Sequence, residues 1–132
     1  MIDVTVTPFY AAIIAILMAA LSIWVGVTRG RTSVALGDGG NSALALATRR
    51  FGNLSEYAAI VLFLMLMMEL KGASETYLHA YGLILVLLRL LHPVVLFDDV
   101  DAPTWKKIGR FIAAAGTAAM MIVAAITILM MG

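Results

Sequence analysis

The 132-residue chain contains no cysteine. Disulfides, thiolate metal sites and a cysteine nucleophile are thereby excluded. Charge is the second scarcity: Asp, Glu, Lys and Arg supply 13% of the residues, about half their share in an average soluble domain. Hydrophobic residues supply 63%, against roughly 45–50% in soluble domains, so a soluble fold would leave much apolar surface wet. The flank Met1 to Thr7 carries Asp3 and no Lys or Arg. It lacks the basic region of a secretory signal, and no A-x-A-like site follows, so the first apolar run is expected to be a retained helix. Internal repeats and low-complexity tracts are also lacking.

What is present is four apolar stretches, approximately 8–28, 44–70, 76–97 and 107–131. Each reaches the ~20 residues that a helix needs to cross a hydrocarbon core. The expected fold is an all-α membrane protein, a four-transmembrane-helix bundle forming one domain over 1–132. Arg29, Arg31, Arg49 and Arg50 lie at the first loop, Lys71 at the second, and Lys106, Lys107 and Arg110 at the third. The positive-inside rule then makes the first and third loops cytoplasmic and puts both termini on the other side.

Helix ends carry local signals. Pro8 suits a first turn, and Gly37-Asp38-Gly39-Gly40 resists helix. Asn41 or Ser42 can cap the second helix, and Ser74 or Thr76 the third, after a stop at Gly72. Pro93 is expected to interrupt or kink the third helix one turn before its end. Trp105 with its lysines suits an interfacial anchor. Ala113-Ala114-Ala115-Gly116 and Ala118-Ala119 read as a packing face. Methionines at 65–68 and 120–131 read as lipid-facing or core filler.

Polar groups within these runs are costly in a bilayer and tend to face a bundle interior or a cavity. Arg49, Asn53 and Glu56 are spaced i, i+4, i+7 on one stripe, with Arg50 and Tyr57 one residue aside. Arg89 and His92 share a face of the third helix at i, i+3. At ~1.5 Å per residue, Glu56 and Arg89 each lie ~12 Å inside the cytoplasmic boundary, so the two charges can meet. Two readings stand: a buried Glu56–Arg89 strut, or a ligand site for a zwitterion or polyanion carrying amine and carboxylates. Other polar residues read more blandly. His79 is expected at the far interface, too distant from His92 (~20 Å) for a bis-histidine haem. Glu69, Lys71 and Glu75 are expected to be solvated around the short turn. Asp98, Asp99 and Asp101 precede three basic residues and read as a self-compensating loop, not a metal site. The glycine loop lacks the preceding strand of a phosphate-binding fingerprint.

The segments Gly37-Asp38-Gly39-Gly40, Arg49-Arg50-Phe51-Gly52-Asn53-Leu54-Ser55-Glu56-Tyr57 and Arg89-Leu90-Leu91-His92 resemble the MAPEG family. These are the membrane-associated proteins in eicosanoid and glutathione metabolism. The likeness covers roughly residues 8–115 and is greatest to small bacterial inner-membrane members. It implies a left-handed four-helix bundle assembled as a homotrimer in the bacterial inner membrane. Glutathione, as co-substrate, would bind between subunits towards the cytoplasmic side. By likeness Asn53, Glu56, Arg89 and His92 line that site, Arg29 or Arg31 reaches a carboxylate, and Arg49 is a further contact. The implied partners are lipid, glutathione and a lipophilic small molecule, with no nucleic acid. The implied chemistry is a glutathione transferase or peroxidase, its bound thiol held as thiolate.

The resemblance assigns no group to thiol activation. Phe51 stands where many members have histidine, and Leu96 where a tyrosine is usual. Trp105-Lys106 stands where the eicosanoid enzymes place an Arg-Ser pair, with Lys107 and Arg110 nearby. Lysine supplies charge without a guanidinium fork. Two other classes remain: a small four-helix exporter, whose membrane-embedded acid on the first helix is missing from 8–28, and a non-catalytic membrane scaffold.

Overall fold

A computed structural model describes residues 3–99 and 101–131. Residues 1, 2 and 132, the extremities of the expected domain and part of the flank read above, lie outside the described residues. Four helices form: α1 Val6–Thr32, α2 Ser42–Leu70, α3 Glu75–Val95 and α4 Thr104–Met130. All four are long and apolar enough to cross a membrane. The protein is an all-α, four-span membrane protein.

Helix ends follow local chemistry. Asn41 caps α2 by accepting from the Leu44 N–H, and Ser74 caps α3 by accepting from the Tyr77 N–H. The 33–41 loop takes positive φ at Ser33, Gly37, Gly39 and Gly40, a conformation that only glycine adopts without steric cost. α1 runs to Thr32, not 28, which carries Arg29 and Arg31 in its last turn, where cations complement the helix dipole. α4 begins at Thr104, not 107, and takes in Trp105 and its lysines. α3 ends at Val95, two residues past Pro93, and Leu96 is extended.

α1 packs mainly on α2, and α3 on α4; α2 also meets α4, and α1 meets α3. Among the described residues α1 and α4 make no contact, and α2 touches α3 more sparsely. The bundle is therefore a rhombus with α2 and α3 across its short diagonal. Helices joined by the short turn meet at the centre of the molecule, not as a packed side-by-side pair. The core includes Tyr10, Ile14, Leu54, Val61, Met65, Leu85 and Met120. Large apolar side chains also cover the outside, with Ile16, Phe111 and Leu129 more than 70% exposed, which suits lipid as solvent.

Close approach is set by glycine. A Cβ on Gly82 would run into the Tyr10 ring, and one on Gly116 would sit 2.9 Å from Leu88 Cδ1. The alanine run is only partly a packing face: Ala113 is buried, whereas Ala114, Ala115, Ala118 and Ala119 are exposed. Consecutive residues fan round a helix, so the buried stripe is Gly109, Ala113, Thr117, Met120 and Ala124.

Glu69 corrects an expectation. It is not solvated but 5% exposed, and its carboxylate accepts the backbone N–H groups of Thr5, Val6 and Thr7 at 2.8, 2.7 and 2.7 Å. α1 has no acid in its first turn and no side-chain cap of its own. The end of α2 supplies one, satisfying the amides of Thr5, Val6 and Thr7, while the next residue, Pro8, has no N–H to satisfy.

Candidate functional site

Arg89 lies on the short diagonal and is 1% exposed. Its Nη1 donates to Asn53 Oδ1 at 3.0 Å. Its Nη2 donates to the Ala113 carbonyl at 2.9 Å and to the Thr117 hydroxyl. The Tyr57 ring lies 5.8 Å from the guanidinium carbon. One cation thus ties α3 to α2 and α4. Its Nε is buried and unpartnered, and among the described residues no carboxylate lies within 4 Å of it. The expected Glu56–Arg89 strut does not form, because Glu56 points outward from α2.

Glu56 instead meets Arg49, at 3.2 Å between Oε1 and Nη1, with side chains 54% and 60% exposed. Pairs this exposed contribute only ~0–1 kcal/mol, so this one opens readily. Both residues line a cavity of about 480 Å³ with Arg29, Gly37, Asp38 and Gly52, within the usual ~300–1,000 Å³ of small-molecule pockets. Arg29 donates to the carbonyls of Val34 and Gly37, each at 3.0 Å, and so holds the glycine loop over the cavity. Arg49 also lines an adjoining cavity of about 260 Å³ with Phe97, Asp98 and Arg110.

The structure therefore divides the expected site residues into groups. Arg29, Arg49 and Glu56 share one open cavity. Asn53 and Arg89 are bonded behind it, and His92 is buried one turn further along α3. Arg31 lines a separate cavity with Trp24 and Arg50. Among the cations starting α4, Lys106 rests over the Trp105 ring, whereas Arg110 lies over Phe97 in the wall shared with Arg49. Thr117 and the Ala113 carbonyl were not foreseen, whereas Tyr57 was placed one residue aside from the α2 stripe without a partner. The hydroxyl within an otherwise apolar run was the only available signal.

A model of the MAPEG family matches residues 7–126. The chain belongs to the MAPEG family. The matched range contains every site residue named above. The chain is 41% identical over 87 residues to inner membrane protein YecN of Escherichia coli strain K12. YecN of Escherichia coli O6:H1 strain CFT073 matches to the same extent. Each alignment spans 66% of this chain and 66% of the relative, just under two thirds of its length. No solved structure matches the chain significantly. Within this MAPEG chain Phe51 packs against the core, and Leu96 is buried with its carbonyl accepting from Arg50 Nη2 at 3.4 Å. Neither position offers an imidazole or a phenol.

Proposed function

We propose that this protein binds glutathione, or a closely related thiol carrying two carboxylates and one ammonium group, in the Arg29–Arg49–Glu56 cavity. The observation that carries the reading is the charge set of that cavity: two guanidinium groups and two carboxylates, of which Glu56 is easily released and Asp38 accepts the Gly40 N–H within the glycine loop. The guanidinium groups meet the ligand carboxylates, and Glu56 exchanges Arg49 for the ammonium. Asn53, Arg89 and His92 form the wall behind, where the unneutralised Arg89 adds a positive field. A neighbouring copy closes the open side, as in a homotrimer. The whole chain acts as a single domain in a bacterial inner membrane, with this end of the bundle cytoplasmic and both termini opposite.

Arg110, beside Arg49 in the adjoining cavity, is the cation that holds the thiol as thiolate. The thiolate sulfur then bonds to a lipophilic electrophile arriving from the bilayer and displaces its leaving group, as in a glutathione transferase. In a peroxidase it bonds instead to a peroxide oxygen, breaking the O–O bond and releasing the alcohol, after which a second glutathione reduces the sulfenic acid to disulfide and water. Arg49→Gln is expected to weaken glutathione binding about tenfold, the loss of one charge-assisted hydrogen bond. Equilibrium dialysis of the detergent-solubilised protein measures it. Unchanged affinity in both Arg49→Gln and Glu56→Gln removes the assignment. The Arg89 ties, which join three helices without any ligand, favour the second reading of a non-catalytic scaffold. Glutathione-binding protein inert towards lipophilic electrophiles would select a binding role over catalysis.

A further inference from the structure

Outside the Arg49 cavity, α1 and α2 build a second cationic pocket. Trp24, Thr28, Arg31 and Thr32 of α1 face Ala43, Leu46 and Arg50 of α2 around about 370 Å³. Two guanidinium groups line it and no carboxylate does. Arg50 lies over the Trp24 ring at 5.3 Å. Among the described residues it makes one hydrogen bond, the long contact to the Leu96 carbonyl, and its Nε is buried and unpartnered. A guanidinium has five donors and no way to shed its charge, so most of this group's donors await an acceptor.

Position identifies the acceptor. The pocket lies where α1 leaves its apolar run, at the bundle end that holds Arg29, Arg49, Lys106, Lys107 and Arg110 together with Asp38, Asp98, Asp99 and Asp101, none of which lines the pocket. Immediately along α1, Ile23 and Val27 are 67% and 46% exposed, an apolar ridge leading away from the cations. A cationic pocket at a helix end above a lipid-facing ridge matches an anionic phospholipid, with phosphate above and acyl chains below. Guanidinium groups suit phosphate oxygens, and Trp24 suits the headgroup level. We infer that Arg31 and Arg50 form a binding site for the phosphate of an anionic phospholipid, separate from the Arg29–Arg49–Glu56 cavity.

Native mass spectrometry of the detergent-solubilised full-length protein tests this with phosphatidylglycerol, phosphatidylcholine and inorganic phosphate as probes. Wild type is expected to retain phosphatidylglycerol in preference to phosphatidylcholine. Arg31→Gln and Arg50→Gln should each weaken retention about fivefold, as for a basic residue at a membrane surface. Lys106→Gln with Lys107→Gln, which removes two charges from the same end outside the pocket, should leave the preference in place. Equal retention of the two lipids overturns the inference. So does an equal loss in the lysine pair, which would mean diffuse surface charge. Retention of inorganic phosphate through Arg31 and Arg50 without lipid preference overturns the lipid source. Should a glutamine variant misfold, Arg31→Lys and Arg50→Lys, which keep charge without the fork, should show a reduced preference; undiminished preference there contradicts a guanidinium site.

Discussion

Arg89→Ala is expected to destabilise the bundle by about 3–5 kcal/mol, the cost of breaking a buried charged network. The substitution leaves Asn53 without its donor, frees one bond at the Ala113 carbonyl and opens a void where α2, α3 and α4 converge. Arg89→Met separates shape from charge. Methionine fills the space with an adaptable apolar chain, and buried ionic groups exchanged for well-packed apolar ones are often tolerated. Arg89→Met should therefore recover most of the stability lost in alanine, measured by thermal unfolding in detergent, while binding glutathione more weakly than wild type. Full recovery of both properties would make Arg89 a strut alone. Recovery of neither would mean that the hydrogen bonds, not the filled volume, hold the three helices.

Glu69→Ala should cost about 2–4 kcal/mol, because two of the three amides it releases belong to buried residues. Glu69→Gln should cost less, since the amide oxygen still accepts but its NH₂ cannot serve Thr7. Carboxylate charge at a helix start adds a favourable dipole interaction that glutamine also forfeits. Amide hydrogen exchange at Thr5, Val6 and Thr7 should accelerate in both variants, with the remainder of α1 less affected. Unaltered exchange and melting in Glu69→Ala would show that water replaces the carboxylate without loss.

The four helices were legible because apolar runs of membrane-spanning length leave few alternatives, and because Asn41, Ser74 and the glycine loop mark their ends. A depth match between Arg89 and the α2 polar stripe, drawn at Glu56, was legible from helical rise alone. The pairing was not. Charge invites joining Glu56 to Arg89, but seven residues after Arg49 on the same stripe, Glu56 finds a nearer arginine on its own helix. Arg89 is served instead by a backbone carbonyl, which leaves no trace in residue identity, and by Thr117, one hydroxyl among alanines. Glu69 hid for a related reason. Its partners are amides of residues 5–7, and the available signal was negative: a first helix with no acid in its opening turn. Adjacent Arg49 and Arg50 diverge into different cavities because one residue turns a helix by about 100°, which also separates Arg29 from Arg31.

The most direct measurement is a calorimetric titration of wild-type protein in detergent with glutathione and, in parallel, with glutathione diethyl ester, which lacks both carboxylates. Recognition by Arg29 and Arg49 predicts saturable binding of glutathione and at least a tenfold weaker interaction with the ester, as expected when charge-assisted bonds are removed. No saturable binding of glutathione, or equal affinity for the two, would contradict a carboxylate-reading glutathione site in this cavity.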